Sequence, residues 1–290
     1  VPGVTNSEGG DAGWGKTAVA LATSNGFAGA YARTSVSVST TVIAERNGAM
    51  ERDYDWTAAT HMADLRDAAV VGRTAGERAV KRLGARRVRT QQVPVVFEQR
   101  LAGGLLRSFA QAINGAAIAR GVSYLQDRMG EQVFARDIQV IDDPRLVRGH
   151  ASKPFDAEGL AAEQLHIVQD GVLQCWTLDL RAAAKLGLES NGRASRGVGS
   201  NPSPGVTNLD MAPGALPPEA LIREIESGFY VTELIGHGGE LATGDYSRGA
   251  AGFWIEKGEI AYPVSELTVA GNLKDMFLAT TPANDLVRRG

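Results

Sequence analysis

The polar residues between Gly236 and Gly249 are the strongest candidates for chemistry in this chain. The segment carries five glycines, which permit unusual backbone conformations, and long loops inside compact domains are usually functional. Its side chains include an imidazole, a carboxylate, hydroxyls and a guanidinium, which are groups that bind or activate substrates. We select six of them as substrate-binding candidates: His237, Thr243, Asp245, Tyr246, Ser247 and Arg248.

Several interpretations of this loop stay open at the level of sequence. Ser247 beside Arg248 could bind an anionic group, and a self-sufficient hydrolase could use His237, Asp245 and Ser247. Equally, Asp245 and Arg248 could only tie the loop to itself, as short-range polar side chains often do. A Gly-rich hairpin with a solvated tip is the remaining alternative.

Residues 10–17 satisfy the phosphate-loop pattern Gly-x-x-x-x-Gly-Lys-Thr, and the run IQVIDD (138–143) resembles the acidic strand that accompanies it. A phosphate loop requires a buried strand before it and a helix after it. The preceding residues VPGVTNSEG predict no strand, and an alternating strand pattern follows Thr17. A nucleotide-binding protein acting through Gly10–Thr17 is therefore a disfavoured alternative.

The histidines and the single cysteine form no recognisable metal or nucleophile motif. No two of the four histidines stand at i,i+4 or in His-x-His spacing, so no ready pair of metal ligands exists. Cys175 lies in a hydrophobic run, where a thiol is usually inert, and there is no Gly-x-Ser-x-Gly elbow.

Hairpins and separate helices are expected to position these residues. The alternating run Ser35–Arg46, an Asn-Gly turn and Ala49–Trp56 predict a hairpin. Further strands are expected at Val93–Phe97, Arg136–Ile141, Gln164–Leu180 (a hairpin containing Cys175 and Trp176), Phe229–Ile235 and Ala250–Ile255. Helices are expected at Ala58–Leu83, Leu101–Ile113, Ala116–Met129, Ala220–Ile225 and Leu273–Leu278, and a long loop or mobile segment at Ser190–Gly214.

This order of elements predicts an α+β fold with antiparallel sheets and separate helical blocks. We expect two subdomains. The first covers residues 1–88 and is expected to be truncated at its start, and the second covers residues 89–290 and contains the Gly-rich loop 236–249.

Composition excludes several classes of protein. The 290 residues are 43% hydrophobic and 22% charged, with a formal net charge of -3, so no overall attraction to nucleic acid is expected. No apolar run reaches the ~20 residues of a membrane span, and the start has no signal-peptide pattern. One cysteine fits a reducing compartment, which predicts the cytoplasm. The missing initiator Met indicates a fragment or a processed form.

Five segments together resemble one family. They are NGFAGAYARTSVSVSTTVIAERNGAMERDYD, VGRTAGERAVKRLGARRVRT, PVVFEQRLAGGLL, SKPFDAEGL and TGDYSRGAAGFWIEKGEIAYPVSELTVAGNLKDMF. In this order they resemble the PmbA branch, also called TldE, of the TldD/PmbA family, and the likeness extends from about Ala20 to Leu286. The family's older label, modulator of DNA gyrase, does not make it a DNA binder.

The resemblance implies a role without zinc. The TldD branch resembles a zinc peptidase with a His-Glu-x-x-x-His motif and a further Cys ligand near its C-terminus. The corresponding slot in this chain is Phe97–Ala102, where Glu98 keeps the Glu position and Phe97 and Ala102 replace both histidines. Without two imidazole ligands a zinc site is not expected to form.

We therefore expect a non-catalytic PmbA/TldE-type subunit of a zinc metallopeptidase complex. Zinc is expected only in a TldD-type partner, and a homo-oligomer is expected where that partner is absent. The substrate would be a peptide or an unfolded protein, with no nucleic acid and no membrane involved. The Gly-rich loop would then form a cavity wall or a docking surface.

Overall fold

Long antiparallel strands form the first part of the chain. In the computed structural model, which describes residues 1–287, β1 (Val4–Ala22), β2 (Ala28–Arg46) and β3 (Ala49–Ala59) pair in that order. Asn47 and Gly48 both have positive φ, 54° and 81°, as a tight hairpin turn requires. The predicted hairpin is confirmed.

The phosphate-loop pattern lies inside β1. Its residues pair with β2 in continuous antiparallel register, with Gly10 opposite Thr40 and Gly15 opposite Ser35. The backbone is therefore extended and paired across a sheet, and it does not curl into the turn that would surround a phosphate. The expectation that no strand precedes the pattern was wrong, and so is the nucleotide-binding alternative.

Helix α1 (Ala68–Arg82) covers one face of this sheet. The carboxylate of Asp67 caps it by accepting hydrogen bonds from the backbone N–H groups of Ala69 (2.7 Å) and Val70 (3.3 Å). The predicted helix Ala58–Leu83 was too long, because its first residues continue β3 and a single 3-10 turn follows at Met62–Asp64.

The remaining elements follow α1 in chain order. They are β4 (Val95–Phe97), α2 (Gln99–Ala112), α3 (Gly115–Ile118), β5 (Val140–Asp142), β6 (Leu165–Gln169), β7 (Val172–Leu173), α4 (Leu180–Leu186), β8 (Ala194–Ser195), β9 (Ser203–Pro204), β10 (Leu209–Met211), α5 (Pro218–Arg223), β11 (Ser227–Ile235), β12 (Asp245–Glu256), β13 (Glu259–Asn272) and α6 (Leu273–Leu278).

Three further sheets result from these strands. The main sheet has the order β13-β12-β11-β4, and only its β4–β11 pair is parallel. A second four-stranded sheet has the order β10-β5-β6-β7, and β8 pairs with β9. The predicted α+β class with antiparallel sheets is confirmed. The boundary at residues 88/89 stays a prediction. No helix in the described part of the chain is long and apolar enough to cross a membrane.

Two predicted elements are shorter than expected, and the backbone shows why. The helix expected at Ala116–Met129 ends with α3, because the chain turns at Gly121, whose φ is 68°. The strand expected at Arg136–Ile141 begins only at Val140, since Asp137 also has positive φ, 68°. The hairpin around Asp170-Gly171 is confirmed, but Cys175 and Trp176 lie beyond its second strand.

Packed aromatic rings form the centre of the main core. Phe109 of α2 contacts Phe134 edge-on, with 4.9 Å between ring centroids, and Phe277 of α6 lies 4.7 Å from Phe134. The buried side chains Val231 and Trp254 of the main sheet belong to the same hydrophobic core as Phe109 of α2. Helices α2 and α6 and the main sheet therefore share one hydrophobic core, which holds α2 in place.

The segment Ser190–Gly214 is a long connection that contains three short strands, β8, β9 and β10, and a buried arginine anchors it to the protein. Arg193 is fully buried and its guanidinium pairs with the equally buried carboxylate of Asp142. The guanidinium also donates to the backbone carbonyls of Asn191 (3.0 Å) and Glu163 (2.5 Å). Asp142, which belongs to the IQVIDD run, therefore serves packing rather than a metal.

Replacement of Arg193 by alanine should be strongly destabilising, because it leaves the Asp142 carboxylate buried without its partner. We expect a loss of about 3–5 kcal/mol in the free energy of unfolding, measured by urea denaturation. The matched control is Arg128→Ala, which removes an exposed ion pair with Glu131 and should cost less than about 1 kcal/mol. Equal losses in the two variants would contradict this account of the loop.

Candidate functional site

The slot Phe97–Ala102 lies across the junction between β4 and α2. Phe97 is the last residue of β4 and packs against the main core. Glu98 is the N-cap residue of α2, although its side chain makes no capping hydrogen bond. The last four residues of the slot, from Gln99 on, are helical, and the side chains of Phe97 and Ala102 carry no atom that could bind a metal.

The carboxylate of Glu98 is held by two arginines. It accepts a hydrogen bond from Nε of Arg100 at 2.6 Å, and its other oxygen lies 3.3 Å from the guanidinium of Arg78 on α1. A general base must be free to accept a proton from substrate or water. Glu98 is instead engaged in charge pairing between α1 and the slot.

Arg100 is the most buried charged group of the slot, with 1% of its side chain exposed. Its guanidinium donates to the carboxylate of Asp53 at 2.5 Å, to the carbonyl of Tyr54 at 2.8 Å and to the carbonyl of Thr232 at 2.9 Å. It also lies 4.6 Å from the centre of the Tyr54 ring, in cation–π contact. One side chain thus joins β3, α2 and β11.

The balance of forces on Arg100 favours its charged form. Burial alone would lower its pKa, but hydrogen bonds to the carboxylates of Asp53 and Glu98 outweigh burial, and the net pKa is raised. A permanently charged guanidinium is therefore fixed inside the slot Phe97–Ala102.

Further ion pairs extend from Arg100 along β3 and α1. Arg82 pairs with Glu233 of β11 at 2.5 Å, and Arg78 pairs with the fully buried Asp55 at 3.1 Å. We call the whole set the arginine–carboxylate network; its members are Asp53, Asp55, Arg78, Arg82, Glu98, Arg100 and Glu233. It connects the first sheet and α1 to the main sheet.

These residues do not fit a zinc ion. The slot supplies no imidazole or thiolate, and its one carboxylate is paired with cations. Within residues 1–287, no three His, Cys, Asp or Glu side chains cluster as metal ligands would. No step of a reaction is therefore assigned to a metal in this chain.

The Gly-rich loop is shorter than expected, because β12 already begins at Asp245. Its two ends, Gly236 and Gly244, have φ of 87° and 84°, which L-residues rarely adopt. A side chain on Gly239 would place Cβ 2.4 Å from Leu273 of α6, so this glycine permits close packing. The loop is docked against the protein at Gly239 and Gly244, while most of its other residues remain exposed.

Hydrogen bonds to neighbouring side chains fix the position of the Asp245 carboxylate. Its carboxylate accepts from the hydroxyl of Thr243 at 2.8 Å and from the side-chain amide of Asn272 at 3.0 Å, and these hydrogen bonds lower its pKa. Asp245 therefore ties the loop to itself through Thr243, which is one of the interpretations left open by the sequence, and to the end of β13 through Asn272.

The alternation of side chains along β12 places the remaining candidate residues on two opposite faces of the strand. Side chains alternate along β12, so Asp245 and Ser247 are exposed on one face, while Tyr246 is buried on the other together with the partly buried Arg248. A hydrolase needs its nucleophile and base within hydrogen-bonding distance. No hydrogen bond in the described part of the chain joins His237 to Asp245 or Ser247, and the geometry therefore gives no support to that alternative.

A groove of about 430 Å³ lies between α2 and the loop. We call it the α2 groove; its polar and aromatic lining includes Tyr54, Arg100, Arg107, Ser108, His237 and Arg248. It brings two of the six predicted binding residues, His237 and Arg248, together with α2. Thr243, Asp245, Tyr246 and Ser247 do not line it. The role of all six in binding stays a prediction.

Sequence reasoning missed the arginine–carboxylate network, although a signal was present. In β3, Glu51, Asp53 and Asp55 alternate, which places three carboxylates on one face of a strand. In α1, Arg78 and Arg82 stand at i,i+4, on one face of a helix. Complementary charge on two predicted neighbouring elements would have indicated the pairing.

The fold and the slot agree with one family of proteins. Residues 4–83 match the PmbA/TldA metallopeptidase central domain, and residues 90–289 match the PmbA/TldA metallopeptidase C-terminal domain. The chain belongs to the PmbA/TldD family.

Two bacterial relatives with high sequence identity carry the name PmbA. The chain is 41% identical over 287 residues to the metalloprotease PmbA of Escherichia coli O157:H7, covering 99% of this chain and 62% of that protein. It is 37% identical over 257 residues to the PmbA homologue of Haemophilus influenzae, covering 88% of this chain and 54% of that protein. The chain thus spans a little over half the length of these relatives.

Solved structures share the fold. A crystal structure from Bacteroides thetaiotaomicron, described as a modulator of DNA gyrase, superposes with a TM-score of 0.86 at 28% identity, covering 95% of this chain and 61% of that one. One from Thermotoga maritima with the same description superposes with a TM-score of 0.91 at 24% identity, covering 99% and 66%. The second likeness concerns the fold alone.

Cys175 should react slowly with thiol reagents, as its predicted inertness requires. Burial raises the pKa of its thiol from 9.0 to about 11, so the reactive thiolate is scarce at pH 8. Because the chain has one cysteine, its rate of reaction with a disulfide reagent can be read directly. We expect a rate at least tenfold below that of the urea-unfolded chain, following the ~2-unit rise in pKa. Equal rates in the two states would contradict this.

Proposed function

We propose that this chain is the non-catalytic, PmbA/TldE-type component of a zinc metallopeptidase complex that cleaves peptides or unfolded protein segments. The observation that carries the proposal is the occupation of the slot by Arg100, which pairs with Asp53 and Glu98. The relatives' names, metalloprotease PmbA, supply the reaction class. The chain would work in the cytoplasm, and zinc would reside in a TldD-type partner.

A guanidinium in the slot cannot replace a zinc ion in catalysis. A zinc peptidase polarises a carbonyl and activates water with a dication and a free carboxylate. In this slot the cation is a guanidinium that already forms hydrogen bonds to two carboxylates and two carbonyls. Such a group has no open coordination position for water, so it supports structure or recognition rather than hydrolysis.

The partner would be a second chain with an intact motif, and a homo-oligomer would form where that chain is absent. This chain would complete the substrate cavity. The α2 groove shares Arg100 and Leu101 with the slot and is open to solvent, and it would serve as the recognition surface.

The test is zinc content and peptidase activity of the purified chain, alone and mixed with a TldD-type partner. We expect less than about one tenth of an equivalent of zinc by elemental analysis and no cleavage of an unfolded protein by the chain alone, because ligands are missing. The mixture should cleave. Stoichiometric zinc, or cleavage by this chain alone, would contradict the proposal.

Glu98→Gln provides a matched control within the slot. If Glu98 is only an ion-pair partner, the mixture should keep its cleavage rate within about threefold, far from the 10²–10⁴-fold effect of a lost acid–base group. Assembly is followed in parallel by size-exclusion chromatography. Loss of cleavage with intact assembly would show that Glu98 takes part in the reaction.

A further inference from the structure

We propose that the α2 groove binds the carboxylate of an extended peptide through Arg107 and Arg248. This inference rests on the proposed function for the choice of a peptide as the ligand. The assignment of an anion site depends only on the contacts of the groove itself.

The first support is unbalanced charge. No aspartate or glutamate lines the α2 groove, whereas three arginines and His237 do. Arg100 is neutralised by Asp53 and Glu98. Within residues 1–287, neither Arg107 nor Arg248 forms an ion pair. Two guanidinium charges in one groove thus lack a counterion from the protein.

The second support is a guanidinium that is fixed in place without a carboxylate partner. A terminal nitrogen of Arg248 donates to the carbonyl of Leu234 at 3.2 Å, and the side chain also hydrogen-bonds to the hydroxyl of Tyr246. Nε of the same group is buried and has no hydrogen-bond partner. Because Nε is closed to solvent, a ligand would meet the exposed part of this half-buried side chain. Arg248 is therefore held in position while its charge stays unpaired.

The third support is the kind of ligand the groove can hold. The planar guanidinium fork matches the two oxygens of a carboxylate, and paired N–H···O bonds of this type are strong and directional. Tyr54 adds an aromatic wall, and Ser108, whose hydroxyl donates to the carbonyl of Gly104, adds a small polar side chain to the lining. The volume, about 430 Å³, lies in the range of small-ligand sites.

Two sources could supply the carboxylate: the C-terminus of a peptide, or an aspartate or glutamate side chain within it. Three fluorescein-labelled decapeptides of Gly, Ser, Ala and Leu distinguish them by fluorescence anisotropy with the full chain. One has a free C-terminus and no acidic residue, one has a C-terminal amide and no acidic residue, and one has a C-terminal amide and a central Glu.

We expect the neutral amide to bind at least tenfold more weakly than one or both of the carboxylate peptides. Preference for the free C-terminus identifies a terminal carboxylate, and preference for the central Glu identifies a side chain. Equal binding of all three peptides would overturn the inference. Displacement of the probe by inorganic phosphate at concentrations where acetate has no effect would overturn the carboxylate assignment.

Variants locate the site. Arg107→Gln and Arg248→Gln should each weaken binding of the preferred peptide by about tenfold to a hundredfold, as expected for a lost charge-assisted hydrogen bond. The matched control is Arg196→Gln, which removes an exposed arginine outside the groove and should change binding less than twofold. Unchanged binding in Arg107→Gln would contradict the proposal.

A variant at Arg107 and the dependence of binding on salt test the site independently of Arg248. If Arg248→Gln fails to fold, the exposed Arg107 can still be replaced. Binding should also weaken as salt is raised, since charges at an open groove are screened. Binding is measured without a partner and without zinc, so a failure here leaves the proposed function standing. Conversely, zinc or cleavage found in the chain alone would not remove the anion site.

Discussion

The buried pairing of Arg100 with Asp53 is the interaction on which the arrangement of the molecule depends. Asp53 belongs to the first sheet, Arg100 to α2, and the same guanidinium reaches the carbonyl of Thr232 in the main sheet. Burial of charge is costly unless each charge is paired and hydrogen-bonded, and here both requirements are met. The relative placement of β3, α2 and β11 is therefore specified by one side chain and its acceptors.

This pairing also shapes the surface beside it. Asp53 and Glu98 neutralise Arg100. The other arginines of the α2 groove, Arg107 and Arg248, are therefore the charges left to face a ligand. Arg100 therefore belongs to both the slot and the wall of the groove. It forms the structural ion pair, whereas Arg107, which we propose for recognition, lies seven residues further along α2, about two helical turns.

Much of the fold could be predicted from local signals, and the errors have physical causes. The β2–β3 hairpin follows from alternation and an Asn-Gly turn, which are local. The length of α1 was overestimated because Ala58 and Ala59 fit a strand or a helix, and pairing with β2 keeps them in β3. The anchoring of segment 190–214 depends on Arg193 reaching Asp142, 51 residues away in sequence, which no local pattern encodes.

The candidate site was predicted only in part. The glycines and polar residues of 236–249 indicated a loop with a role, but the early start of β12 divides its side chains between two faces, which composition does not reveal. The family likeness located the slot and its missing histidines. It could not show what replaced them, because the partners of Arg100 come from strands 47 and 132 residues away.

A double-mutant cycle between Asp53 and Arg100 measures how strongly this charge pair couples β3 to α2. The free energy of unfolding would be measured for Asp53→Ala, Arg100→Ala and the double variant. We expect a loss of about 3–5 kcal/mol in each single variant. The loss in the double variant should be smaller than their sum by at least about 2 kcal/mol, because the second change removes a charge already left unpaired. Additive losses, within about 0.5 kcal/mol, would show that the pair does not couple the two elements.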